Sequence, residues 1–132
     1  MRNLSLTSGS EACSRRVLVV EDEPIVGMDI EAILSEAGLQ VIGPATSAEE
    51  ALELIRWDEV DCALIDFVLT DGDASTILAK LSEKNIPFAF VTGLSADGIP
   101  SAYSEIPTIN KPFAAAELVN CVHLMCGRVK AA

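Results

Sequence analysis

Short, β-branched apolar runs alternate five times with segments of helical periodicity, and few folds admit that alternation. Arg16 to Val20 is apolar at nearly every position, as a strand must be when both its faces are covered. Parallel neighbours need a crossover long enough for a helix, and helical spacing fills each interval. After the first run, Pro24 suits an opening helical turn. Val26, Ile30, Ile33, Leu34 and Ala37 then make one stripe, with Gly38 where a C-terminal cap belongs. Gln40 to Ala45 reads as a second strand, placed at an edge by Pro44. Ser47 and Glu50 form a capping box for a helix whose stripe is Ala48, Ala51, Leu52 and Ile55. Trp57, at its end, is expected to be a packing lid.

Cys62 to Ile65 is the third strand, followed by a helix over Ala74 to Lys84. Phe88 to Val91 and Thr108 to Asn110 are the fourth and fifth strands, and the last helix spans Ala114 to Cys126. Between those two strands Gly98 and Pro100 break any long helix. A short or irregular helix is expected there, in the most mobile part of the domain. Five βα repeats predict an α/β domain, a doubly wound five-stranded parallel sheet with helices on both faces. Its expected extent is residues 15–128, between a flexible, Ser-rich lead-in over 1–14 and a tail over 129–132.

Half of the 132 residues are apolar, enough for a core without staples, but no run approaches the roughly 20 residues a spanning helix needs. The N-terminus lacks the apolar centre of a secretion signal, so a cytoplasmic location is expected. A net charge of −11 argues against nucleic acid and against anionic lipid as partners. Cys13, Cys62, Cys121 and Cys126 show no metal-ligand spacing, and Cys121, His123 and Cys126 do not share a helix face well. Reduced, mostly buried thiols are the expectation.

In open α/β sheets, ligands bind beyond the carboxyl ends of the strands. Those ends read Glu21-Asp22, Asp66, Thr92 and Lys111, while the second strand ends in small neutral residues. Three carboxylates cannot all stay ionised at close range without a cation. Oxygen ligands suit Mg2+ better than zinc. A carboxylate beside Mg2+ can attack phosphorus, and the spread charge of a phosphoryl group calls for cations and hydrogen-bond donors, here Lys111 and Thr92. Glu23, beside Pro24, reads instead as a helix-start residue whose charge suits the dipole.

The motifs EDEP, LIDF, FVTG and NKPF, in that order from Arg16 to Gly127, resemble the receiver domain of bacterial response regulators. The resemblance implies a flavodoxin-like sheet of strand order 2-1-3-4-5, with Asp66 as phosphoacceptor and Glu21 and Asp22 holding Mg2+ with it. It further implies the Val68 carbonyl as a metal ligand, Thr92 as the switch hydroxyl, Lys111 as the phosphate-pairing lysine and a cis Lys111-Pro112 bond. The implied partners are a sensor histidine kinase or phosphotransfer protein and a downstream protein, with no nucleic acid and no membrane. The domain would catalyse only its own phosphorylation and dephosphorylation. Output would pass through protein binding or phosphate transfer, since the chain ends with its last helix.

Receivers commonly carry an aromatic switch where this chain has Thr108, with Tyr103 further upstream. The loop Leu69-Thr70-Asp71-Gly72 also departs from the usual Met-Pro and later Gly. PFAFVTG resembles the fourth strand of the "FATGUY" subgroup of single-domain receivers, which lack that switch, with Val91 in place of its Ala. Tyr103, Ile106 and Ile109 are, by the same resemblance, a docking face.

Other readings fit less well. A degenerate receiver acting as a constitutive interaction module would have no need of all five site residues. A dehalogenase-type phosphatase wants DxDx[TV], whereas DFVLT has Val68 in place of the second Asp. No P-loop or dinucleotide motif is present, and EDEP is electrostatically wrong for the phosphate of a flavin.

Overall fold

Val17, Leu18, Val19 and Val20 are all sealed from solvent, which a strand achieves only inside a sheet covered on both faces. The computed structural model, which describes residues 15–69, 72–93 and 99–131, has that form. Strands β1 (Arg16–Val20), β2 (Gln40–Ala45), β3 (Cys62–Ile65), β4 (Phe88–Thr92) and β5 (Thr108–Asn110) make one sheet. All its pairings are parallel and its order is 2-1-3-4-5, as expected. Helices α1 (Pro24–Glu36) and α4 (Ala115–Ala131) cover one face, and α2 (Ala48–Trp57) and α3 (Ser75–Glu83) the other.

Alternation along the strands divides the core in two. Leu18, Val20, Ile65 and Phe90 pack with Ala51 and Ile55 of α2 and Ile77, Leu78 and Leu81 of α3. Val17, Val19, Leu64 and Val91 pack with Ile30 and Leu34 of α1 and Leu118, Val122 and Met125 of α4. Gly38, at φ +87°, closes α1: its N–H bonds Ser35 O and that of Leu39 bonds Leu34 O, both at 3.0 Å. Cys62 and Cys126 are buried free thiols, their sulfurs 3.8 Å apart, and Cys121 is half-buried. Their hydrogen bond, then burial, pushes the Cys62 thiol far above the ordinary range, where it stays protonated.

Several local expectations are corrected. Ala37 is exposed, because the helix is already capping there, and Gly27 joins the buried face in its place. Ser47 accepts from the Glu50 N–H, but the Glu50 carboxylate takes the N–H and hydroxyl of Thr46 rather than the Ser47 N–H. Trp57 is no lid: it is 72% exposed, its indole N–H donating to Glu53 and Arg56 lying 5.1 Å over the ring. Val68–Leu69 and Gly72–Asp73 pair as an unforeseen antiparallel ribbon. The short helix expected between the fourth and fifth strands is present among the described residues as one 3-10 turn, Ser101–Tyr103, whereas α4 runs to Ala131, past the expected end at Cys126. The expectations for 1–14 and for 94–98 lie outside the described residues.

The edge strand β2, placed as Pro44 indicated, carries one irregularity. Leu18 pairs with Ile42 and Val20 with Ala45, so Gly43 and Pro44 together oppose Val19. Such a bulge bends the strand and re-aims the residues after it. Gly43 sits at φ +100°, and a Cβ there would lie 2.6 Å from Ala45 N and 2.9 Å from Val19 O. Gly43→Ala is therefore expected to lower stability by roughly 1–3 kcal/mol in urea unfolding. Gly38→Ala, which meets no atom within 4 Å, should cost less because only the backbone angle opposes it.

Candidate functional site

The backbone ladder continues past the ends of the strands and holds the residues just beyond them. The N–H of Glu21 bonds Ala45 O at 2.8 Å, that of Asp66 bonds Val20 O at 2.9 Å, and that of Lys111 bonds Thr92 O at 3.0 Å. Glu21, Asp66 and Lys111 thus leave their strands in register with a neighbour. Glu21, Asp66 and Thr92 are buried, and Asp22 is half-buried.

One carboxylate oxygen from each of Glu21, Asp22 and Asp66 lies within 4.8 Å of the others. The ammonium of Lys111 reaches across to them, donating to Asp66 Oδ2 at 3.3 Å. It also lies 2.9 Å from Glu21 Oε1, an ion pair outside hydrogen-bond alignment that leaves Oε1 buried with no aligned donor. The second oxygen, Oε2, accepts the Glu23 N–H at 3.1 Å. Burial pushes the Glu21 carboxyl above the ordinary carboxylate range and Asp66 adds to the rise, with Lys111 and the Glu23 N–H opposing. Burial also acts to lower the Lys111 pKa, but Glu21 and Asp66 outweigh it and hold that pKa above the ordinary range.

The structure thus brings Glu21, Asp22, Asp66 and Lys111 together, with Thr92 at the end of the adjacent strand. Val68 opens the ribbon two positions after Asp66, and Lys111-Pro112 is cis. Glu23 is the N-cap residue of α1, as read from Pro24, but it has a second engagement that was missed. Its carboxylate accepts from Lys111 at 3.4 Å. The run of three acids was the available signal, obscured because one side chain serves both the helix start and the lysine.

The expected docking face is not presented as such. Ile109 is buried in the core, and Tyr103 and Ile106 pack partly into it. Thr108 is exposed, its hydroxyl donating to Ile106 O at 3.2 Å. Apolar surface instead lies beside Lys111, in an open groove of about 720 Å3 lined by Ile25, Val26, Met28, Pro112 and Phe113 with Asp29. Ile25 and Met28 are 82% and 66% exposed.

An acid cluster and a lysine thus lie together on the carboxyl rim of a 2-1-3-4-5 sheet. The response regulator receiver domain family matches residues 17–123, and the chain belongs to that family, a signalling domain of two-component systems rather than a catalytic enzyme. Among curated relatives, the transcriptional regulatory protein PdtaR of Mycobacterium tuberculosis is 27% identical over 128 residues, 94% of this chain and 62% of PdtaR. The phyllosphere-induced regulator PhyR of Methylorubrum extorquens is 36% identical over 81 residues, 58% of this chain and 30% of that protein. The chain spans less than two thirds of the length of either. Among solved structures, PhyR of Brucella abortus superposes with a TM-score of 0.79 at 27% identity, over 97% of this chain and 55% of that one. SdrG of Sphingomonas melonis Fr1 superposes at 0.76 and 27% identity, over 86% of this chain and 97% of that one.

Lys111 is the cation that keeps the buried Glu21 carboxylate tolerable. Lys111→Met should lower stability at neutral pH by roughly 1–3 kcal/mol, the cost of stranding a buried charged group. The sign with pH comes from the raised Glu21 pKa. Without Lys111 that pKa rises further, so the deficit is small below the unfolded carboxyl value of 4.5 and grows as pH climbs above it. Urea unfolding of both proteins at acid and neutral pH measures the difference.

Proposed function

We propose that this domain is a phosphoacceptor of a two-component phosphorelay, taking a phosphoryl group onto Asp66 in a Mg2+-dependent reaction. The observation that carries the reading is the convergence of three carboxylates within 4.8 Å beside the Lys111 ammonium. Oxygen-only donors fit a hard divalent ion, and Glu21 Oε1, buried without an aligned donor, has an acceptor site to spare for one. Glu21, Asp22 and Asp66, with the Val68 carbonyl, would hold the Mg2+. When bound, the ion supplies positive charge that lets the carboxylates stay ionised and neutralises charge on the phosphoryl oxygens.

The chain's own residues do the rest. Asp66 presents the attacking oxygen. Lys111, already within 3.3 Å of it, pairs with phosphoryl charge, and the Thr92 hydroxyl donates from the adjacent strand end. The donor is a phosphohistidine on a sensor kinase or phosphotransfer protein in the cytoplasm, consistent with a described chain in which no helix is long and apolar enough to cross a membrane. The groove formed by Ile25, Met28 and Phe113 is where that donor would lie. The output is a protein partner, or phosphate passed on or drained away.

Incubation with Mg2+ and acetyl phosphate should add one phosphate by mass spectrometry to the wild type and none to Asp66→Asn. A wild type that folds but takes no phosphate would point instead to a phosphorylation-independent interaction module. Ile25→Glu should slow transfer from a phosphohistidine donor protein by roughly tenfold or more, the loss of one apolar anchor, while leaving labelling by acetyl phosphate unchanged. Equal slowing with both donors would remove the groove from the reading.

A further inference from the structure

Glu21 carries one more rotatable bond than an aspartate, so its carboxylate is harder to hold in one place. Its tip is held by the Glu23 N–H, 3.1 Å from Oε2, and by Lys111, 2.9 Å from Oε1. Its stem meets a different pair of neighbours. Gly27 of α1 is buried, and a Cβ added there would lie 3.3 Å from Pro44 Cβ, 3.4 Å from Pro44 Cγ and 3.8 Å from Glu21 Cγ. The bare backbone of Gly27, the Pro44 ring and the Glu21 stem therefore converge on one spot.

Each of the three is also fixed from elsewhere. The Gly27 N–H bonds Glu23 O at 2.9 Å, which brings the first turn of α1 back over the acids that precede it. Pro44 follows Gly43 in the bulge of β2, where a Cβ on Gly43 would lie only 2.9 Å from Val19 O. The next residue, Ala45, is buried and its carbonyl takes the Glu21 N–H at 2.8 Å. The bulge thus holds the Glu21 backbone through Ala45 and brings the Pro44 ring against α1 beside the Glu21 stem. No room remains at Gly27 for a side chain unless one of its neighbours gives way.

We propose that Gly27 and Pro44 are positioning residues for Glu21, a joint between α1 and the β2 bulge that sets where its carboxylate meets a divalent cation. This rests on the Mg2+-binding reading of the acid cluster. Mg2+ demands near-ideal octahedral geometry at short distances, whereas Ca2+ accepts longer and more variable ones. A joint that fixes one ligand therefore matters more to the smaller ion.

Metal-free protein is titrated with Mn2+, the free ion is counted by electron paramagnetic resonance, and Mg2+ or Ca2+ is then used to displace it. Gly27→Ala should weaken Mg2+ binding roughly tenfold, the size of effect seen when a ligand's supporting neighbour is lost, and Ca2+ binding clearly less. Pro44→Ala, which removes ring carbons from the other side of the joint, should shift the preference between the two ions in the same direction. Urea unfolding of the metal-free variants checks that each is folded, and if Gly27→Ala does not fold, Pro44→Ala decides alone. Unchanged Mg2+ affinity in the folded variants overturns the proposal, as does an equal loss for both ions, the result of general loosening. A wild type that takes up no Mn2+ would instead overturn the Mg2+ reading, and this inference with it.

Discussion

The ammonium of Lys111 sits among acids that would otherwise repel one another. Glu21, Glu23 and Asp66 each place an oxygen within 3.4 Å of it, and Asp22 completes the cluster. One half-buried positive charge facing several negative ones is a frustrated arrangement, since the lysine cannot satisfy them all in a medium that screens less than water. Burial, with Asp66 adding to it, keeps the Glu21 pKa raised against the pull of the lysine. A site in this condition attracts further positive charge, and the lysine can be drawn from one carboxylate to another anion without losing its role. Stability and chemistry thus depend on the same contact.

The fold's contribution is position. A parallel sheet points every strand the same way, so its carboxyl rim gathers residues far apart in sequence without any loop having to find them. Backbone bonds beyond the last ladder pair, from Glu21 to Ala45, Asp66 to Val20 and Lys111 to Thr92, hold those residues to the sheet itself. Both sheet faces are filled by apolar side chains from two helices each, leaving the rim as the place where polar groups converge.

Much of this was legible in the sequence because the signals were local and repeated. Fully apolar strands, Gly38 after the first helix and Pro44 on the second strand each reflect backbone chemistry and came out as read. The polar strand ends could be paired in space because the parallel topology leaves little freedom. The features that were not legible depended on tertiary neighbours. Trp57 looked like packing material, but no element among the described residues covers it at the end of α2. Ile109 looked like a surface residue on a short strand, whereas α4 supplies Leu118 and Val122 to its side of the sheet and buries it. The second engagement of Glu23 depends on where Lys111 arrives from a segment 88 residues later.

The kink in β2 has a consequence for the molecule among its neighbours. An exposed strand at a sheet border offers unpaired N–H and C=O groups on which another chain can add a strand of its own. Here one border is interrupted at Gly43 and Pro44, the latter with no N–H to offer, and the other is a strand of only three residues. Neither presents a run of regular backbone long enough to template an added strand. The two borders thereby discourage pairing with a second copy of the chain through the sheet.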